Sequence, residues 1–146
     1  MARIYTSASE SETEVIGREI AKLCDDNDFV ALFGDMGSGK TVFMRGFVAE
    51  LVPEARVSSP TYAIVNVYEG EKHTVNHFDM YRITSEDDLY STGFEEIIQK
   101  GITVTEWSEN IVRELPSVFW RITFEKKSET ERVLHVERIG YDNTGN

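Results

Sequence analysis

Gly34, Gly39, Lys40 and Thr41 stand in the spacing G-x-x-x-x-G-K-T within the stretch LFGDMGSGKT. Glycines let a backbone curl with several N–H groups turned inward, and a helix starting near Lys40 adds the positive end of its dipole. Such a field suits a polyphosphate. The loop residues Asp35, Met36, Gly37, Ser38 and Gly39 would surround phosphate oxygens with their backbone, Lys40 would reach the β and γ phosphates, and Thr41 would offer its hydroxyl to Mg2+. ATP with magnesium is therefore the expected ligand. The bland alternative is a glycine-rich turn that merely joins a strand to a helix.

Magnesium needs a protein carboxylate besides a threonine, and such a group commonly stands at the end of a neighbouring strand. Asp79 ends VNHFD and Glu106 ends ITVTE. Both follow apolar runs and are expected at the carboxyl edge, where α/β sheets bind ligands. A strand-end acid by itself is more often a helix cap or a solvated group, but here two occur beside a phosphate loop. Chemistry alone leaves open which one holds the metal and which orients or deprotonates the attacking water. Thr61, in the polar knot Ser58-Ser59-Pro60-Thr61, is either part of a turn or a contact to the metal or γ-phosphate. His77 lies two residues before Asp79 and is placed to orient it. The three histidines have no ligand spacing, and His73 and His135 read as surface or half-buried strand residues. Phe119, Trp120 and Phe124 read as core.

These residues need elements to position them. Ser9 and Ser11 each precede a glutamate by three residues, and Val15, Ile16, Ile20 and Leu23 recur at helical spacing, so a helix is expected from about Ser11 to Cys24. FVALF, directly before the glycine loop, reads as a strand buried on both faces. Val42, Phe43, Phe47, Val48 and Leu51 mark a second helix, stopped by Pro53. TYAIVNVY and HTVNHFDMYR, joined by EGEK, read as a hairpin, so the sheet is not purely parallel. SEDDLYSTGFEEIIQKG is helix-compatible and ends at Gly101 as a C-terminal cap. ITVTE reads as a further buried strand, SENIVREL as a short helix before Pro116, and VFWRITFE with RVLHVERI as a closing hairpin. The expected fold is α/β, a mixed sheet with a parallel core and antiparallel strands, flanked by helices, in a single domain over residues 1–146.

Composition limits the partners. With 26 acids against 15 bases the formal net charge is −11, and the bases form no stripe. Tight direct binding to nucleic acid requires many phosphates to be neutralised, so any role near RNA calls for a partner. The lone cysteine, Cys24, excludes an internal disulfide and reads as a core residue in a reducing compartment. No apolar run approaches the ~18 residues of a membrane span, and MARIYTSASESETE lacks the apolar core of a signal peptide. A cytoplasmic location is expected.

GDMGSGKT, SSPTY, HFDMYR and TEW, taken in that order, resemble the bacterial TsaE family, the small ATPases of tRNA threonylcarbamoyladenosine biosynthesis. The resemblance spans nearly the whole chain. It implies a P-loop NTPase-like fold and an ATPase that joins the TsaB and TsaD proteins, with ATP binding supporting assembly and hydrolysis supporting repeated turnover. It also implies that Lys40 and Thr41 bind phosphates and magnesium, that Glu106 is the magnesium ligand, and that Asp79 is the acid needed for hydrolysis. A basic residue of the last hairpin, matched by Arg132, is implied beside the nucleotide. Met36 and Ser38 stand where the family often has Leu and Ala, at positions whose backbone does the binding. The acidic surface agrees with tRNA being held by the partners.

Other readings use the same loop. A small-molecule kinase needs a lid with arginines to clamp the transferred group, whereas Arg45, Arg56, Arg82 and Arg113 are dispersed. A GTPase needs an N-K-x-D segment, and none is present. A nucleotide-dependent scaffold with incidental hydrolysis would keep supporting tRNA modification after loss of Asp79.

Overall fold

Ala2–Ser7 forms an edge strand, β1, whose side chains are mostly exposed. The chain then enters α1, Glu10–Leu23. Ser9 caps it: its hydroxyl accepts from the Glu12 N–H at 3.1 Å, while the Glu12 carboxylate reaches back to the Ala8 N–H at 2.8 Å. The helix thus starts one residue before the expected Ser11. The computed structural model describes residues 2–35, 37–57 and 64–140.

FVALF forms β2, Phe29–Phe33, buried along nearly its whole length. After the glycine loop comes α2, Lys40–Leu51. A hairpin follows, β3 (Val65–Glu69) and β4 (Thr74–Asp79), then β5 (Ile102–Glu106) and a closing hairpin of β6 (Phe119–Lys126) and β7 (Arg132–Ile139). The sheet order is β1-β7-β6-β2-β5-β4-β3. Its centre is parallel, β2 pairing with β5 and β6, and β4 with β5. The hairpins add antiparallel strands at both sides. This is the expected mixed sheet, with β1 as an unforeseen seventh strand.

On one face α1 and α2 cover a core that includes Ile20, Phe43, Phe47, Val75, Val104 and Leu134. Two glycines let the helices approach closely: a Cβ on Gly17 would lie 2.2 Å from the Phe43 carbonyl oxygen, and one on Gly46 would lie 1.9 Å from that of Glu14. On the other face Phe78, Leu89, Phe94 and Ile111 form a second core. The covering elements there differ from expectation. The stretch expected as one helix ending at Gly101 is two short ones, α3 (Glu86–Tyr90) and α4 (Phe94–Ile97). Gly93 breaks the run in a left-handed conformation, φ 81°. Gly101 lies beyond the helix and packs against Thr74, leaving no room for a side chain. SENIVREL is a kinked 3-10 helix, Ser108–Glu114, instead of an α-helix. Among the described residues no helix is long and apolar enough to cross a membrane. Cys24 is partly buried and contacts the helix-side core, and burial pushes its thiol pKa up.

Candidate functional site

β2 delivers the chain to the loop at the carboxyl edge of the parallel strands. Gly37 (φ 79°) and Gly39 (φ 103°) take left-handed conformations that a side chain would strain. Gly39 caps α2 with no side-chain hydrogen bond, and the first turn holds no acidic residue. No carboxylate of the first turn itself offsets the positive end of the helix dipole, which suits an anion.

Lys40 is the first residue of α2 and is only 5% exposed. Burying an ammonium is costly unless it is partnered. Its Nζ donates to the Gly34 carbonyl at 2.5 Å and lies 4.4 Å from the ring centroid of Trp107. The Gly34 N–H donates to Glu109 Oε2 at 3.0 Å. The Gly34 residue is thus held at both its amide and its carbonyl. Arg132 braces the loop from the closing hairpin, donating through Nη2 to the Gly37 carbonyl at 3.1 Å. Its Nη1 donates to the carbonyls of Ser128 and Glu131 at 2.8 and 3.0 Å.

Asp79 and Glu106 are register partners at the carboxyl ends of β4 and β5. Strand alternation puts them on the same face as Val75 and Val104, the side covered by α2. Asp79 Oδ1 accepts from the Tyr81 N–H at 3.0 Å. Burial raises its pKa above the ordinary 3.8, and the nearby Glu106 charge raises it further; the Tyr81 N–H, His77 and Lys40 act in the opposite direction. Glu106 is buried, and His77, expected to orient Asp79, instead contacts Glu106 through Nε2.

A cavity of about 540 Å³ opens over the loop. Gly37, Gly39, Lys40, Thr41, Glu106 and Arg132 line it, all of them named from the sequence. Asp35, Ser38 and Asp79 stand outside the lining, Asp35 exposed and Ser38 buried with a hydroxyl that has no partner among the described residues. Met36 and Thr61 lie outside the described residues. Trp107, Thr13 and the start of α1 at Ser9 also line this cavity, a placement that comes from tertiary packing and not from local pattern. Only the motif TEW pointed toward Trp107.

The donors fit a polyphosphate with a divalent ion. Among the described residues no group of three or more His, Cys, Asp or Glu could hold a metal ion. Of the carboxylates lining the cavity, Glu10 belongs to α1 and Glu129 to the turn between β6 and β7. This leaves Glu106, at the end of β5, and the Thr41 hydroxyl, at the start of α2, as one carboxylate and one hydroxyl on the elements that flank the loop. That is the sparse protein share expected for Mg2+ completed by phosphate and water oxygens.

The model of the family described as "Threonylcarbamoyl adenosine biosynthesis protein TsaE" matches residues 7–134. A tRNA threonylcarbamoyladenosine biosynthesis protein TsaE of Rickettsia prowazekii is 31% identical, over 95% of this chain and 99% of that one. Its namesake from Rickettsia conorii is 31% identical, over 91% and 77%; that of Bacillus subtilis is 29% identical, over 93% and 85%. A crystal structure of Bacillus subtilis YdiB superposes with a TM-score of 0.76 at 26% identity, covering 96% of this chain and 87% of that one.

Proposed function

The chain belongs to the TsaE family of tRNA threonylcarbamoyladenosine biosynthesis, and from that premise we propose that it binds and hydrolyses ATP in step with the TsaB and TsaD proteins. The observation that carries this reading is one cavity. In it the left-handed glycines, the start of α2, Lys40, Thr41 and Glu106 converge.

In this reading the loop amides and the α2 dipole bind the phosphates, and the Lys40 ammonium exchanges the Gly34 carbonyl for β and γ oxygens. Thr41 and Glu106 hold magnesium, which when bound offsets charge on the phosphates. Asp79 orients the attacking water and accepts its proton, a role that its raised pKa favours. Thr61 contacts the γ-phosphate or the metal, and Thr61→Ala weakens ATP binding or hydrolysis. Arg132 keeps the loop in shape beside the nucleotide. Hydrolysis removes the charge that draws the Asp79 strand end and the Thr61 segment together, and loosens the partner contact. The partners hold the tRNA, since the net charge of −11 opposes direct nucleic-acid binding. The setting is the cytoplasm.

Reconstitution of tRNA modification with purified TsaB and TsaD tests this. Wild-type chain should sustain repeated turnover, while Asp79→Ala should bind ATP without sustaining it. Full turnover with Asp79→Ala would leave docking, and not hydrolysis, as the function.

A further inference from the structure

His77 has no exposed surface, and its Nε2 lies 2.5 Å from Glu106 Oε2. The contact follows from register. His77 of β4 stands opposite Val104 of β5, so Glu106, two residues further on, shares its face of the sheet. An ionised carboxylate can only accept a hydrogen bond, which places the hydrogen on Nε2. The other ring nitrogen, Nδ1, is buried with no hydrogen-bond partner among the described residues. A hydrogen there would be a buried donor left unmade, so this environment accommodates the tautomer that carries it on Nε2.

Glu106 is itself only 7% exposed and lines the cavity with Thr41. With Oε2 engaged by the ring, the carboxylate's rotation is restricted, and no hydrogen bond among the described residues engages Oε1, which is left for a cation. We infer that His77 is a positioning residue for divalent-cation capture, holding Glu106 ready beside Thr41. This rests on the reading that Thr41 and Glu106 hold the metal. A purely structural histidine would support the core without any bearing on metal affinity. Hydrogen bonds behind a metal ligand restrict its rotation and raise its basicity, and losing them typically weakens metal binding about 10–100-fold.

The test is Mn2+ titration in the presence of the β,γ-imido analogue of ATP, with bound metal read by electron paramagnetic resonance. His77→Phe keeps a ring but has no donor, and should weaken Mn2+ by about 10–100-fold. His77→Gln carries an amide N–H near the former Nε2 and should recover most of that loss. Analogue affinity without metal should be the same in all three proteins. Equal Mn2+ midpoints in all three would overturn the inference while leaving the ATP reading intact. Failure of the unsubstituted protein to bind the analogue would remove both. The unsubstituted protein also serves should His77→Phe not fold. Its imidazole 15N spectrum should show hydrogen on Nε2, with a resonance that moves when Mg2+ is added to the analogue complex. Hydrogen on Nδ1, or a resonance indifferent to Mg2+, would overturn the inference.

Discussion

Asp79 and Glu106 stand side by side as register partners at the carboxyl ends of adjacent parallel strands, and the charge of Glu106 helps to raise the pKa of Asp79. Burial is the larger cause. An acid whose pKa is raised on folding carries a penalty that is fully present above its folded value. That penalty fades as the pH falls through the folded value and is gone below the ordinary 3.8.

Asp79→Asn removes the penalty and keeps an oxygen to accept from the Tyr81 N–H. The variant should therefore be more stable than the parent at about pH 7 and lose that advantage toward acid. Denaturant midpoints across this range test it. A parent that is the more stable at neutral pH, or a difference independent of pH, would contradict the assignment.

Arg132 bonds carbonyls of both the glycine loop and the closing turn. It does so with two separate nitrogens, Nη2 to the loop and Nη1 to the turn, a span that the single nitrogen of a lysine does not reproduce. Arg132→Lys and Arg132→Gln should both lose ATP affinity, by about tenfold, equivalent to ~1.4 kcal/mol. Full affinity in Arg132→Lys, measured by calorimetry, would mean that this residue acts as a point charge on phosphate and not as a brace.

Gly46→Ala should destabilise the protein although alanine is the better helix former. The new Cβ meets the Glu14 carbonyl oxygen across the helix pair, at 1.9 Å before any shift. Overpacking of this kind costs about 1–3 kcal/mol or more. In a chain of this size each kcal/mol lowers Tm by ~2–4 °C. An unchanged melting temperature would show that α1 and α2 separate easily.

What was legible in the sequence was what local pattern encodes. The G-x-x-x-x-G-K-T spacing located the loop, and the continuous apolar run of β2, with the β-branched run ITVT of β5, marked the buried centre of the sheet. β1 escaped because ARIYTS is an exposed edge whose pairing with β7 is tertiary. The split between α3 and α4 was written in Gly93, a helix breaker within an otherwise helical run. Site contacts between distant residues were the least readable. Along one strand His77 points to Asp79, but the register of β4 against β5 gives it Glu106. The links of Glu109 to Gly34 and of Arg132 to Gly37 join positions 75 and 95 residues apart, beyond any local pattern.

The central claim is that the glycine loop, with Lys40, binds ATP. Its most direct measurement is a calorimetric titration of ATP with Mg2+ into the wild-type chain and into Lys40→Ala, with TsaB and TsaD present. The expected result is one ATP per wild-type chain and binding at least about a hundredfold weaker in Lys40→Ala, a loss of ~2.7 kcal/mol. No uptake by the wild type, or equal uptake by both, would contradict the account.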